Sequence, residues 1–332
     1  MIFFNKETTL VSIGDFADVY YKIKNRGINF LFSKFSKFSY KNRVSSKWDS
    51  FVSQSDFWII PEITKTWNYK ISGDYDLTYE DYVFHKYFEG KENLGLLSIG
   101  CGEGKHERNF AKYRAFNNVV GIDISKDSIE NAKKIAADNN LKINYYCDDF
   151  TKTTLLKNKF DVILFDSSLH HFNGIENFLK NNVLPILNEN GYIVVFEYCG
   201  PNRLQWRKSQ LNEANKILKS IPLRFRKLID GKNIKTKVYR PGVLRMLLVD
   251  PSEAPDSENL VKSLNNNLEV LEEKKLGTNI LHILLKGIAH NFLAEDAESK
   301  ELIRDLIKKE NEFLNLSNEN DAVFGVYQKR SP

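Results

Sequence analysis

Two adjacent histidines, His170 and His171, follow the apolar run FDVILFD (160–166) in the stretch FDVILFDSSLHHF. An imidazole changes charge near neutral pH, so it can accept a hydroxyl proton during a reaction. Glu197 lies in a second apolar run, GYIVVFEY (191–198). A carboxylate there can orient an imidazole and favour the imidazolium that forms. The other reading is that one histidine caps the next helix or packs beneath a ligand. A glycine run, Gly100-Cys101-Gly102-Glu103-Gly104, directly follows LGLLSIG (94–100). Glycines let a backbone turn tightly and approach a ligand where a Cβ would collide. The third glycine comes one residue too early for the dinucleotide pattern GxGxxG, and no phosphate-loop lysine follows. His85, His106, His282 and His290 show no metal-ligand spacing, and Cys101, Cys147 and Cys199 form no CxxC pair, so no metal is expected.

These residues share one kind of position, just after an apolar run. Strand-like and helix-like segments alternate through the middle third of the chain, which indicates a parallel α/β sheet. The expected strands are 94–100, 118–124, 142–149, 160–166 and 191–198. Helices are expected over 105–116 and 126–140, the second capped by Ser125. After Gly200 the alternation breaks into a basic helix over 203–221 and a helix-start signal, DPSEA (250–254). A sixth strand over 267–276 and a closing strand over 322–329 complete a seven-stranded, mostly parallel, Rossmann-like sheet flanked by helices. Residues 1–92 form an N-terminal helical cap, residues 93–332 the main domain, and about 201–262 an inserted lid. Parallel α/β sheets bind ligands at the carboxyl ends of their strands, where the histidines, Glu197 and the glycines fall.

In this order and spacing, LLSIGCGEG, GIDIS, YYCDDF, FDVILFDSSLHHF and LNENGYIVVFE resemble the strand-end motifs of class I S-adenosylmethionine-dependent methyltransferases. The resemblance covers about residues 93–200 and implies S-adenosylmethionine as cofactor. It implies contacts from Gly100, Cys101, Gly102, Gly104, Asp123, Ile124, Asp148, Asp149, Phe150 and Asp166. Asp123 is placed to accept both ribose hydroxyls. Asp149, or Asp148 one residue earlier, is placed for the adenine amino group, with Phe150 beside the ring. Ser98 departs from the pattern, since the family usually has an acid there, which leaves the cofactor's amino group without its usual partner. His170, His171 and Glu197 are the expected catalytic group.

Segments outside this core (WIIPEITKTWNYKISG, FEYCGPNRLQW, YRPGVLRMLLVDPSEA and ILHILLKGIAHNF) resemble methyltransferases encoded beside bacterial glycosyltransferases. That likeness implies O-methylation of a sugar or glycan of a surface polysaccharide, with a glycosyltransferase as a possible partner. Thirteen bases face two acids between Gly200 and Arg245, so an anionic acceptor held by Arg203, Arg207, Arg240 and Arg245 is expected. A small-molecule acceptor, a nucleic-acid acceptor and a non-catalytic cofactor-binding module are the alternatives. Nucleic acid is disfavoured because DSSLHHF stands where base-modifying enzymes carry an [N/D]PPY-like motif. The stretch Val19–Trp48 holds eight bases and no acid, with Phe30, Phe32, Phe35 and Phe38 interleaved with Lys34 and Lys37. It is expected to pack as a cap, or to make a weak peripheral membrane contact. No signal segment is evident, so the expected location is the cytoplasm or the inner face of its membrane.

Overall fold

The computed structural model describes residues 8–16, 55–153 and 159–330. Among these residues seven strands form one sheet: β1 (Leu94–Ile99), β2 (Phe116–Asp123), β3 (Ile143–Cys147), β4 (Phe160–Asp166), β5 (Leu187–Tyr198), β6 (Leu268–Gly277) and β7 (Ala322–Lys329). Their spatial order is β3-β2-β1-β4-β5-β7-β6. The first five strands pair in parallel, and β7 lies antiparallel between β5 and β6. The expected Rossmann-like architecture is the one observed.

The helices that accompany them are α1 (Pro61–Ser72), α2 (Tyr79–Val83), α3 (Lys105–Ala111), α4 (Lys126–Asp138), α5 (Ile175–Phe178), α6 (Lys208–Ser220), α7 (Val243–Val249), α8 (Leu260–Asn267), α9 (Leu281–Leu285) and α10 (Ala297–Ser317). The pleat sends alternate strand residues to opposite faces. Leu97, Val120, Ile163 and Ile193 pack with Phe178, Leu260 and Leu264 on one side. Leu96, Val119, Val162 and Val194 pack with Ile71, Val83 and Phe110 on the other. Double-sided burial is why β4 and the second half of β5 read as nearly unbroken apolar runs. A third core joins α6 to α9 and α10 through Ile217, Leu218, Leu284, Leu285, Ile303 and Leu306. The inserted segment is thereby anchored to the C-terminal helices.

Local chemistry moves several expected boundaries. The helix expected over 105–116 stops at Ala111, and the amide of Phe116 donates to the Tyr113 carbonyl at 3.1 Å as the chain turns into β2. The third strand ends at Cys147, before the two aspartates. Ser125 caps α4 as expected, accepting from the Ser128 amide at 3.2 Å. The basic helix begins at Lys208, not 203, because Arg203 and Leu204 adopt left-handed backbone angles of 56° and 53°. DPSEA starts no helix. The Asp250 carboxylate accepts the Ser252 amide at 3.0 Å and its hydroxyl at 2.6 Å, closing a turn, and α8 begins only at Leu260. The Phe30–Phe38 stretch, with Lys34 and Lys37, lies outside the described residues. No described helix is long and apolar enough to cross a membrane.

Candidate active site

β1 ends in a cradle. Gly100, Gly102 and Gly104 have φ of +71°, +52° and +77°, a region where side chains are strained. A Cβ on Gly100 would lie 2.6 Å from the Ser168 Cβ, and one on Gly104 would lie 2.3 Å from the Tyr145 hydroxyl. Those two glycines close the loop against the protein. At Gly102 a Cβ would meet nothing within 4 Å, so this part of the loop faces open space. The Gly102 amide donates to Asp123 Oδ2 at 2.9 Å, and the Ser125 amide to Oδ1 at 2.8 Å. Asp123 is therefore fixed at the tip of β2, beside the glycine loop.

The loop opens on a cavity of about 1580 Å³. That exceeds the roughly 300–1,000 Å³ usual for one small ligand and leaves room for two molecules. Gly100, Cys101, Gly102, Asp123, Ile124 and Asp166 line it. Asp148, Asp149 and Phe150 line it as well, so exposure does not choose between the two aspartates. Asp148 Oδ1 accepts the Asp149 amide at 2.8 Å. Burial would raise the Asp149 carboxyl, but hydrogen bonds from Thr151 and Lys152 outweigh it and hold it below its usual range. Gly104 lies behind the loop and is not among the lining residues.

At the far side Glu197 is fully buried and organises the turn after β4. Its Oε1 accepts the amides of Ser168 at 2.7 Å and Leu169 at 2.6 Å. Its Oε2 lies 2.7 Å from His170 Nδ1. A carboxylate only accepts, so Nδ1 carries the hydrogen and Nε2 is the basic nitrogen. His170 Nε2 stands 3.9 Å from Glu253 Oε1, on the inserted segment. The His171 ring lies 4.3 Å from that of His170, and its Nδ1 donates to the Ser252 carbonyl at 3.1 Å. His170, His171, Glu197, Ser252 and Glu253 all line the cavity.

A second charged group gives no sign of itself in the sequence. His106, on α3, places Nδ1 2.8 Å from Glu80 Oε1 and Nε2 3.3 Å from Asp166 Oδ2. The Tyr79 hydroxyl donates to Asp166 Oδ2 at 2.8 Å. Burial opposes a charge on His106, but Asp166 and Glu80 outweigh it and raise its pKa to about 9. Spacing hides this group, because Glu80 and Asp166 stand far from His106 in sequence and only α2 and β4 bring them together. The neighbouring Glu107 is completely buried and is not among the residues that line the cavity. Burial pushes its pKa up to about 7, outweighing the hydrogen bond with Ser98 and the nearby His106, which act to lower it.

The four arginines expected to hold an acceptor are not among the lining residues. Arg203 donates to the carbonyls of Pro251 and Glu253 at 2.7 and 3.0 Å. Arg207 pairs with the buried Asp321 at 2.8 Å, and Arg240 donates to the Trp206 carbonyl at 2.7 Å. Arg245 lies 3.8 Å from Asp15. Their charge is used within the chain, tying the inserted segment down. Composition alone cannot distinguish that use from ligand binding.

Residues 91–280, more than half of the chain, match the methyltransferase-domain family. The chain belongs to that family, and the cofactor expected from its strand-end motifs is S-adenosylmethionine. The cradle suits that molecule: glycines are closed on one side and open on the other, with a fixed carboxylate beside them. The ubiquinone biosynthesis O-methyltransferase of Pelagibacter ubique is 40% identical over 106 residues, covering 31% of this chain and 42% of that protein. Its Coxiella burnetii counterpart is 34% identical over 99 residues, covering 29% and 42%. The chain thus spans less than half the length of these curated relatives. Among solved structures, the cyclopropane synthase MmaA2 of Mycobacterium tuberculosis has a TM-score of 0.49 at 16% identity, covering 88% of this chain and 99% of that one. The plantazolicin methyltransferase BpumL in complex with SAH has a TM-score of 0.43 at 16% identity, covering 88% and 95%.

Proposed function

We propose that this protein transfers a methyl group from S-adenosylmethionine to a hydroxyl of a sugar or glycan. The observation that carries the reading is the Glu197–His170 pair, which opens onto the same cavity as the glycine cradle and Asp123. When bound, the cofactor supplies a methyl whose carbon–sulfur bond breaks with its electron pair leaving on sulfur. His170 Nε2 takes the acceptor hydroxyl's proton as that oxygen bonds to the methyl carbon. Glu197 holds the ring by its Nδ1 hydrogen and stabilises the imidazolium. Asp123 would hold the ribose hydroxyls, and Asp148 or Asp149 the adenine amino group. His106 and its carboxylates would hold the amino-acid end, where Ser98 offers no charge. The site requires alignment above all, since the sulfonium is intrinsically reactive.

The sugar reading is supported by the resemblance of the outer segments to polysaccharide-associated methyltransferases. It is further supported by the asparagine-rich wall of Asn173, Asn177, Asn181 and Asn182. An anionic acceptor remains part of the proposal through Lys286, because the four arginines are engaged elsewhere and Lys152 pairs with Asp149. A smaller hydroxylated acceptor is the second reading, favoured by the names of the curated relatives. Turnover on neutral sugars, uronic acids and catechols, followed as the mass gain of one methylene, separates the two. Transfer to catechols with none to any saccharide would overturn the sugar assignment.

A further inference from the structure

We propose that His171 and Glu253, which line the acceptor end of the cavity, form a divalent-cation site with the buried Asp250 behind them. One ligand atom from each residue lies within 4.8 Å of the other two. Two segments supply the three: the turn after β4 gives the imidazole, and the 250–254 turn gives both carboxylates. The supporting bonds are those that orient metal ligands. His171 Nδ1 donates to the Ser252 carbonyl at 3.1 Å, which fixes the tautomer and leaves the lone pair on Nε2. Asp250 Oδ1 is held by the Ser252 hydroxyl at 2.6 Å and the Ser252 amide at 3.0 Å. Arg203 grips the Pro251 and Glu253 carbonyls and fixes the turn that carries both acids. Ala254, whose carbonyl accepts the Arg203 amide at 2.6 Å, adopts a left-handed φ of 44° to make that turn. One imidazole and two carboxylates suit a cation such as Mn²⁺, with coordination positions left for other ligands.

The position gives the cation a role. Glu253 Oε1 is 3.9 Å from His170 Nε2, so an acceptor oxygen bound to the cation would sit beside the base. A bound cation lowers the pKa of a coordinated hydroxyl and fixes its direction of attack. His171 is then a ligand and His170 the base, which divides two roles the sequence could not separate. This role rests on the O-methylation reading, whereas cation binding itself does not.

The test is a Mn²⁺ titration of the full chain, read by the loss of the free-ion electron paramagnetic resonance signal. The wild type should take up one Mn²⁺ per chain, and His171→Ala and Glu253→Gln should each weaken uptake by about tenfold or more. Asp250 is left intact because it also closes the turn. Melting curves and calorimetry with S-adenosylhomocysteine on the same samples establish that each variant is folded and report the cofactor site separately. Absence of stoichiometric uptake by the wild type, or wild-type affinity in either folded variant, overturns the site. Normal S-adenosylhomocysteine binding in that case would leave the methyltransferase reading standing.

Discussion

The two ends of the cavity are built by different means. The cofactor end is local: the glycine loop follows β1, Asp123 ends β2, and the paired aspartates follow β3. Each is a few residues at the tip of a strand, held by neighbouring backbone amides. The acceptor end is assembled from afar, where Asp56, Trp58, His170, Glu253 and Lys286 meet only because helices and turns bring them together. The sheet determines the first end almost entirely. The second depends on how the inserted segment is tied down, and Arg203, Arg207 and Arg240 do part of that tying. A binding function can therefore stay fixed while the acceptor end is rebuilt by changes outside the sheet.

The sharpest way to break this comparison is to remove the base. His170→Ala should lower turnover by roughly a hundredfold or more. Calorimetry should find cofactor affinity within about twofold of wild type, since sites without shared partners behave additively. If affinity falls along with turnover, the two ends are one unit.

Asp123→Ala attacks the other end. Losing hydrogen bonds to a charged acceptor should weaken cofactor binding by about ten- to a hundredfold, measured by calorimetry. The loop loses an anchor at the same time, so the melting temperature should fall slightly.

Glu107→Gln tests the layer beneath the cradle. The Glu107 carboxyl is raised from an ordinary 4.5 to about 7 by burial, so the folded state binds its proton more tightly than the unfolded one. Stability is therefore full below pH 4.5 and falls as pH climbs towards 7. The penalty approaches about 3 kcal/mol above that range. Glutamine removes it, so the variant's gain in melting temperature should be large near pH 8 and vanish near pH 4. A gain independent of pH would show that ionisation is not its cause.

The smallest expected effect is at the arginines. Arg240→Ala and Arg245→Ala should leave the acceptor Michaelis constant within about twofold, since mutations far from a site seldom couple to it. Arg207→Ala should lower the melting temperature, because it leaves the buried Asp321 carboxylate without its ion-pair partner. A large rise in Michaelis constant at Arg240 or Arg245 would restore them to the acceptor site.

Strand ends were legible because parallel strands buried on both faces are written as apolar runs, and the chain must turn as it leaves each one. β1 through β5, the glycine loop, Asp123 and the His170–Glu197 pair could all be placed in this way. Spacing could not reveal Glu80, His106 and Asp166, whose meeting depends on the packing of α2 against α3. DPSEA misled for a related reason. An aspartate before a serine serves a turn as well as a helix cap, and only the left-handed Ala254 distinguishes them. The arginines misled because composition counts charges without showing where they are spent.

The strand order β5-β7-β6 has a bearing on how the chain is made. β7 is the last strand in sequence, yet it separates two that are translated before it, and its residues enter both cores. Val323 and Tyr327 pack on one face, Phe324 and Val326 on the other. While a ribosome is still extending the chain through α9 and α10, β5 has an open flank and β6 has nowhere to dock. Such unpaired edges invite pairing with other chains. β6 meets that interval with Glu269, Glu272, Glu273, Lys274 and Lys275 along its length. Those charges discourage nascent chains from joining one another until β7 emerges to fill the gap.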